Sequence, residues 1–159
     1  MYDNFDNSSY NYAAIDEKGK IIGSIRIILD NSYGLPIYKY HRMNNFQNGR
    51  FFAEINRLVV DPTYKNSYLG PLLMKAGHTC ATQHGATCIA IGSRPDIQSL
   101  YLKMGFEKVS DKSFSSDVPK IYWIAMILDC IAAQKDWPTT RPRLYRFFTT
   151  PDKRIEHRE

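Results

Sequence analysis

The residues from Val59 to Leu73 read VVDPTYKNSYLGPLL. Two β-branched residues run into Asp61-Pro62, a polar loop follows, and an apolar stretch begins just past Gly70. A strand feeding a polar loop that opens a helix is suited to hold an anion. The first-turn amides have no intrahelical partner, and the helix dipole places partial positive charge at that end. Lys65 adds a full charge, and Gly70 lets a ligand come close to the backbone. Just upstream, Glu54 and Arg57 are the charged residues of FFAEINRLVV. Three residues apart on a strand, they fall on opposite faces, so alternation predicts no direct pair. Cys80, Cys88 and Cys130 are odd in number, scattered and set among apolar residues, as core thiols are in a reducing cytoplasm. His41, His78, His84 and His157 never fall at metal-ligand spacing with each other or with a cysteine, so no metal is expected.

These residues need a scaffold, and the hydrophobic pattern supplies one. YNYAAID at 10–16 and IIGSIRIIL at 21–29 flank a short Gly-containing turn and predict a β-hairpin. The mixed segment from Ser32 to Arg50 reads as a loop with one helical turn, and residues 51–60 as a third strand stopped by Pro62. From about Gly70, LLMKAGHTCATQHG repeats apolar residues at helical spacing, with Gly85 placed as a C-cap. ATCIAIG reads as a short buried strand, and PDIQSLYLKMG as a second helix between Pro95-Asp96 and Gly105. FEKVSD and PKIYWIAMIL add strands. The order predicts a mixed α/β layer fold with helices packed on a sheet.

At 159 residues with 43% apolar content, the chain is sized for one packed domain, taken here as residues 1–159 with a core at about 10–128. No apolar run approaches the length of a membrane span, and MYDNFDNSSYNY lacks the pattern of a secretory signal, so a cytoplasmic location is expected. The net charge of +5 is uneven: from Lys135 to Glu159 seven Lys/Arg stand against four Asp/Glu. That basic segment, 129–159, reads either as a solvated, partly frayed tail or as a surface for a negatively charged partner. It is short and lies outside any nucleic-acid-binding motif, which disfavours nucleic acid.

Taken together, E-x-x-R-L-x-V-x-P-x-Y-K from Glu54 to Lys65, then Gly70 and Leu73, then L-Y-x-K-x-G-F from Leu100 to Phe106, resemble the GNAT superfamily of N-acyltransferases. The resemblance spans roughly residues 10 to 128. It implies a GNAT-like, mostly antiparallel sheet with helices on both faces, and transfer of an acyl group from a pantetheine thioester to an amine. Y-G-L-P-I at 33–37 ahead of A-E-I-N-R-L is similar to the long-chain N-acyl amino acid synthases, relatives of the autoinducer synthases. That implies a donor carried on acyl carrier protein, with an amino acid or other small amine as acceptor. Acetyl-CoA in an ordinary acetyltransferase, and a degenerate module that binds without turnover, are the other readings.

The resemblance also distributes roles. The loop Lys65, Asn66, Ser67, Tyr68, Leu69, Gly70 and Pro71 would hold the donor's phosphate, with Tyr68 standing where the superfamily has its first glycine. A tyrosine there crowds the approach and disfavours a bulky pyrophosphate. Leu58, Val59 and Val60 would pair through their backbone with the pantetheine arm. Glu54 would accept the proton of the incoming ammonium, or else anchor structure; Tyr101 would protonate the departing thiolate, or else pack the second helix. Arg57 would hold a substrate carboxylate or tie the strand to a loop, while His41, beside Tyr40, would contact the acceptor. Arg94 replaces a common asparagine. Superfamily members commonly carry two helices before the hairpin as one wall of the acceptor site, and only about nine residues precede it here. Either the segment after Asp129 covers that wall, or the chain forms a homodimer.

Overall fold

The computed structural model describes residues 3–41, 48–65, 67–115 and 121–155. Its strands are β1 (Ser9–Ile15), β2 (Ile21–Leu29), β3 (Phe52–Val60), β4 (Cys88–Ser93), β5 (Glu107–Ser115) and β6 (Tyr122–Asp129). They form one sheet in the order β1-β2-β3-β4-β6-β5. Every neighbouring pair is antiparallel except β3 and β4. Helix α1 (Leu69–Gln83) makes the crossover between those two parallel strands, as a parallel pair requires. A 3-10 turn at Pro95–Ile97 leads into α2 (Gln98–Lys103), and α3 (Cys130–Thr140) and α4 (Pro142–Thr149) close the chain. The expected α/β architecture is therefore present.

The two faces of the sheet are covered differently. On one, the α-helices and strands share a core that includes Ile25, Ile55, Met74, Tyr101, Trp137 and Phe148. Helix α1 approaches so closely that a Cβ at Gly77 would meet Ile55 at 3.0 Å, which accounts for a glycine in mid-helix despite its cost of about 1 kcal/mol against alanine. Gly105, with φ +90°, ends α2 where a Cβ would run into the Trp137 ring. On the other face Ile28, Phe52 and Ala90 pack against Leu35 and Ile37, carried by a 3-10 helix at Pro36–Lys39, with Phe5 alongside.

The segment after Asp129 is not a frayed tail. It forms the two helices α3 and α4, burying Trp137 and Phe148, and the Asp129 carboxylate caps the first by accepting the Ala132 N–H. Lys75, itself buried, fastens this unit to α1 by donating from Nζ to the Thr150 carbonyl at 2.6 Å, and sits 5.3 Å from the Phe147 ring centre. These helices join the α1 face of the sheet. They do not cover the side on which Glu54 lies, which is closed instead by the N-terminal residues and the loop bearing Ile37.

Candidate active site

β3 and β4 are paired only from Phe52↔Cys88 through Glu54↔Ala90. Beyond that point β3 stays with β2 and β4 stays with β6, so the two parallel strands part. The Asp61 N–H donates to the Ile22 carbonyl on β2. Alternation then turns the backbone groups of Val60 and Leu58 toward the opening, and those of Val59 toward β2. Two of the three residues expected to meet a donor arm thus turn their backbone groups away from β2, toward the side that β4 has left.

Glu54 stands at the last pair before the strands part, only 5% exposed. Its Oε2 accepts the Ile37 N–H at 2.7 Å and its Oε1 accepts from Asn56 Nδ2 at 2.9 Å. Burial raises its pKa to about 6, with the Asn56 and Ile37 hydrogen bonds pulling the other way. The Asn56 Oδ1 in turn accepts from Arg26 Nε at 2.8 Å, and the Arg26 guanidinium, 4% exposed, meets Asp3 and Asp6 at 2.8 and 2.7 Å. A charge so buried is tolerable because it is paired and hydrogen-bonded throughout.

Arg57 joins the same network, contrary to simple alternation. β3 has one residue more than β2 between the pairs Arg26↔Asn56 and Ser24↔Val59, and Arg57 takes up the difference with φ +51°. This β-bulge breaks the period of two and brings the Arg57 side chain round to the Glu54 side. There its two terminal nitrogens meet Asp6 Oδ1 and Asp3 Oδ2, each at 2.9 Å. Arg57 and Glu54 still make no direct pair; Asn56, Arg26 and the two aspartates stand between them. The guanidinium ties the strand to the N-terminal segment. None of Asn56, Arg26, Asp3 and Asp6 was singled out from sequence, although one arginine inside the otherwise apolar IIGSIRIIL is a signal for a buried, paired charge.

The donor loop is sparser than its length suggests. The Lys65 N–H donates to Pro62 at 3.2 Å and the Ser67 N–H to Tyr64 at 2.9 Å. The Leu69 N–H is taken by the Ser67 hydroxyl at 3.2 Å, and Pro71 has no N–H. Asn66 lies outside the described residues. Among the described loop residues, Lys65 is exposed. Among the described residues, a Cβ at Gly70 would touch only Val60, at 3.9 Å, which leaves open space above it. The Tyr68 ring is half exposed and packs edge-on against Phe147 of α4.

Tyr101 lies across the sheet from Glu54. Its ring is buried in the α-helical core, edge-on to Phe106 at 5.8 Å, and burial raises its pKa. His41 is on the Glu54 face, edge-on to Phe114 at 5.1 Å, with Nε2 buried and unpartnered and its pKa lowered by burial. Tyr40 stacks on the same Phe114 ring. Arg94 is paired with its neighbour Asp96 at 2.7 Å on the surface. The structure thus gathers Glu54, Arg57, Ile37 and His41 on one side, Tyr101 on the other, and the open strands Leu58 and Val60 between. Among the described residues no cluster of metal-ligating side chains occurs.

A sheet that parts after one parallel pairing, with a buried carboxylate at the fork and a helix opening at its mouth, defines a GNAT-type N-acyltransferase, an enzyme that draws its acyl group from a thioester donor. Residues 1–129 match the model of the N-acyl amino acid synthase FeeM family, and the chain belongs to that family. The match ends where α3 begins. Among solved structures, FeeM, an N-acyl amino acid synthase from uncultured soil microbes, superposes with a TM-score of 0.71 at 19% identity, over 80% of this chain and 72% of that one. MesI, a CoA-dependent acyl-homoserine lactone synthase, gives 0.62 at 17% identity, over 92% and 70%. A GNAT-family acetyltransferase from Staphylococcus aureus gives 0.56 at 18% identity, over 80% and 72%. Comparison with curated proteins gives no match.

Proposed function

We propose that the protein joins the acyl group of an acyl-phosphopantetheine thioester to the amine of a small acceptor, an amino acid or a related amine, and that the donor rides on an acyl carrier protein. The observation that carries this reading is the position of Glu54 at the fork of β3 and β4, beside the open backbone of Leu58 and Val60. The pantetheine arm lies in the fork against those backbone groups, and its phosphate meets the opening turn of α1 at Gly70 with Lys65 nearby. Glu54 takes a proton from the acceptor ammonium, and a pKa near 6 leaves it mostly ionised at neutral pH yet a stronger base than an ordinary carboxylate. The amine nitrogen attacks the thioester carbon, the C–S bond breaks, and Tyr101 protonates the thiolate. The proton shed by the new amide nitrogen restores the phenol. His41 lines the acceptor side, and Arg57 acts by holding the N-terminal segment in place.

Carrier protein is favoured over free coenzyme A on two grounds. The Lys65, Ser67 and Leu69 amides are already bonded within the loop and Pro71 has none, which suits a single phosphodiester better than a pyrophosphate. Arg141 at the N-cap of α4 and Arg143 and Arg146 within it are also exposed, on the helix that meets the loop through the Tyr68–Phe147 contact, and an acidic carrier would find complementary charge there. A coenzyme A donor is the second reading, favoured by the fold shared with CoA-dependent MesI. Turnover with acyl carrier protein, long-chain acyl-CoA and acetyl-CoA in a salt series separates them. Carrier-protein kcat/KM should fall severalfold between low and high salt, since such attraction reaches only about 8 Å at physiological ionic strength. Neutralising the three arginines together should reproduce most of that fall. A better rate with acetyl-CoA, unaffected by the triple variant, rejects the carrier protein.

A further inference from the structure

Helices α3 and α4 lie beyond residue 129, where the match to the acyltransferase family ends, yet their large side chains reach toward both ends of the acyl transfer. α4 meets the donor end. Tyr68 is the N-cap residue of α1, and Lys75 stands about two turns further along the same helix face. Phe147 packs against both, edge-on to the Tyr68 ring at 5.8 Å and 5.3 Å from Lys75 Nζ. The same Nζ donates to the Thr150 carbonyl at 2.6 Å and so ties the end of α4 to α1. The Tyr68 side chain makes no capping hydrogen bond, which leaves ring packing on Phe147 to direct it.

α3 meets the acid end. Gly105 closes α2 at φ +90°, and a Cβ there would overlap the Trp137 ring, so Trp137 lies directly on this turn. The same turn fixes the backbone of Tyr101, whose carbonyl accepts the Phe106 N–H at 3.0 Å and whose ring meets Phe106 edge-on. Trp137 in turn packs on Phe148 at 5.9 Å, and Phe148 on Phe147 at 4.9 Å. One line of packed rings thus runs from Tyr68 through Phe147, Phe148 and Trp137 to the turn that holds Tyr101. Close packing of this kind transmits strain, because even a methylene's change in volume is felt by the neighbours.

We infer that α3 and α4 brace the reaction from outside the fork. Phe147 is a positioning residue for the donor loop, acting through Tyr68, and Trp137 is a positioning residue for the acid, acting through the Gly105 turn. The inference rests on the acyl-transfer reading. Packing for stability alone is the competing role for these rings, and the two roles predict different measurements.

The test uses variants of the whole chain, assayed below their melting temperatures by thiol release. The donor is decanoyl acyl carrier protein or decanoyl-CoA, whichever the parent uses faster, and the acceptor is an equimolar mixture of the common amino acids. Phe147→Leu should raise the donor KM about three- to tenfold, the worth of one aromatic pair, and lower kcat by less than about twofold. Phe147→Tyr, which keeps the ring, should restore the parental KM. Trp137→Phe keeps a ring beside Phe148 but shortens the side chain that meets Gly105. It should lower kcat about tenfold with the donor KM nearly unchanged, since misplacing a reacting group is costly. Each loss should vanish once its target is gone: Phe147→Leu adds nothing to the KM of Tyr68→Leu, and Trp137→Phe adds nothing to the kcat loss of Tyr101→Phe. Hydrogen exchange gives a readout free of turnover. Phe147→Leu should speed exchange in the opening turns of α1 and Trp137→Phe at residues 101–106, each leaving the other region unchanged. The inference fails if both variants only lower the melting temperature, if they change KM and kcat in the same pattern, or if the paired losses add. A parent that turns over neither donor overturns the acyl-transfer reading and the brace with it. A parent that turns over while both variants match it overturns the brace alone.

Discussion

The two faces of the sheet are stabilised by different chemistry. Beneath α1 to α4 the contacts are apolar and tight, with Ile25, Ile27, Cys80 and Ala81 almost wholly buried. On the opposite face a smaller apolar patch is extended by a chain of hydrogen bonds from Ile37 through Glu54, Asn56 and Arg26 to Asp3 and Asp6. Apolar packing stabilises without regard to direction, whereas a buried polar network fixes geometry and is costly when partly broken. The carboxylate proposed as the base lies in the network, where its geometry is fixed. Tyr101, proposed as the acid, is rooted in the apolar face, where packing positions its ring.

This contrast gives the largest expected effect. Glu54→Gln should lower kcat by on the order of 10²–10⁴-fold while the fold survives, because the apolar face does not depend on it. The same variant has a stability signature. Between the ordinary carboxyl value of 4.5 and about 6, the folded protein binds more protons at this site than the unfolded chain, so stability falls as pH rises through that window. The fall amounts to about 2 kcal/mol, at 1.36 kcal/mol per pKa unit, and Glu54→Gln should flatten it in urea titrations across pH 4–7. Wild-type activity in the Gln variant would reduce Glu54 to an anchor for Ile37. Tyr101→Phe should reduce turnover by on the order of a hundredfold with donor affinity and melting temperature nearly unchanged, since the ring still packs. Full activity there would return Tyr101 to the core.

Smaller effects come from the mouth of the fork. Gly70 has open space above it, so Gly70→Val should fold normally, and any loss of binding reports the ligand's approach. A donor carrying pantetheine should bind about tenfold more weakly, or roughly 1.4 kcal/mol, by calorimetry. Unchanged affinity would make the loop a plain turn.

The elements were readable from hydrophobic period and turn chemistry, because each strand and helix on the α1 face buries one regular set of side chains. Phe52–Val60 and Leu69–Gln83 fall where alternation and helical spacing put them. What escaped was set by irregularity. The bulge at Arg57 reverses the face of a side chain, and no pattern of residue types announces where an extra residue is absorbed. Asp3 and Asp6 lie in a polar leader whose composition suits a loop, and only the fold brings them 23 and 20 residues away in sequence onto Arg26. The basic segment after Asp129 read equally well as a tail, since its large apolar residues fall in short groups, at Trp137 and from Leu144 to Phe148, set among charged ones. Their burial depends on Lys75 and Gly105, distant in the chain.

The smallest effect tests whether the network tunes Glu54 or merely holds it. The Asn56 Nδ2–H donates to Glu54 Oε1 and favours the ionised carboxylate. Asn56→Ala removes that donor, so the Glu54 pKa should rise and the acidic limb of the kcat/KM–pH profile, expected near 6, should move up by less than about one unit. Asn56→Asp keeps an oxygen to accept from Arg26 Nε but sets a second carboxylate beside the first. Like charge disfavours ionisation further, so its limb should lie above that of the Ala variant. At pH 8, beyond both limbs, the two variants should recover most of the parent rate. A purely structural role for Asn56 predicts instead a loss that is the same at every pH. Limbs that stay near 6 in both variants would show that Glu54 is not the group whose ionisation controls acyl transfer.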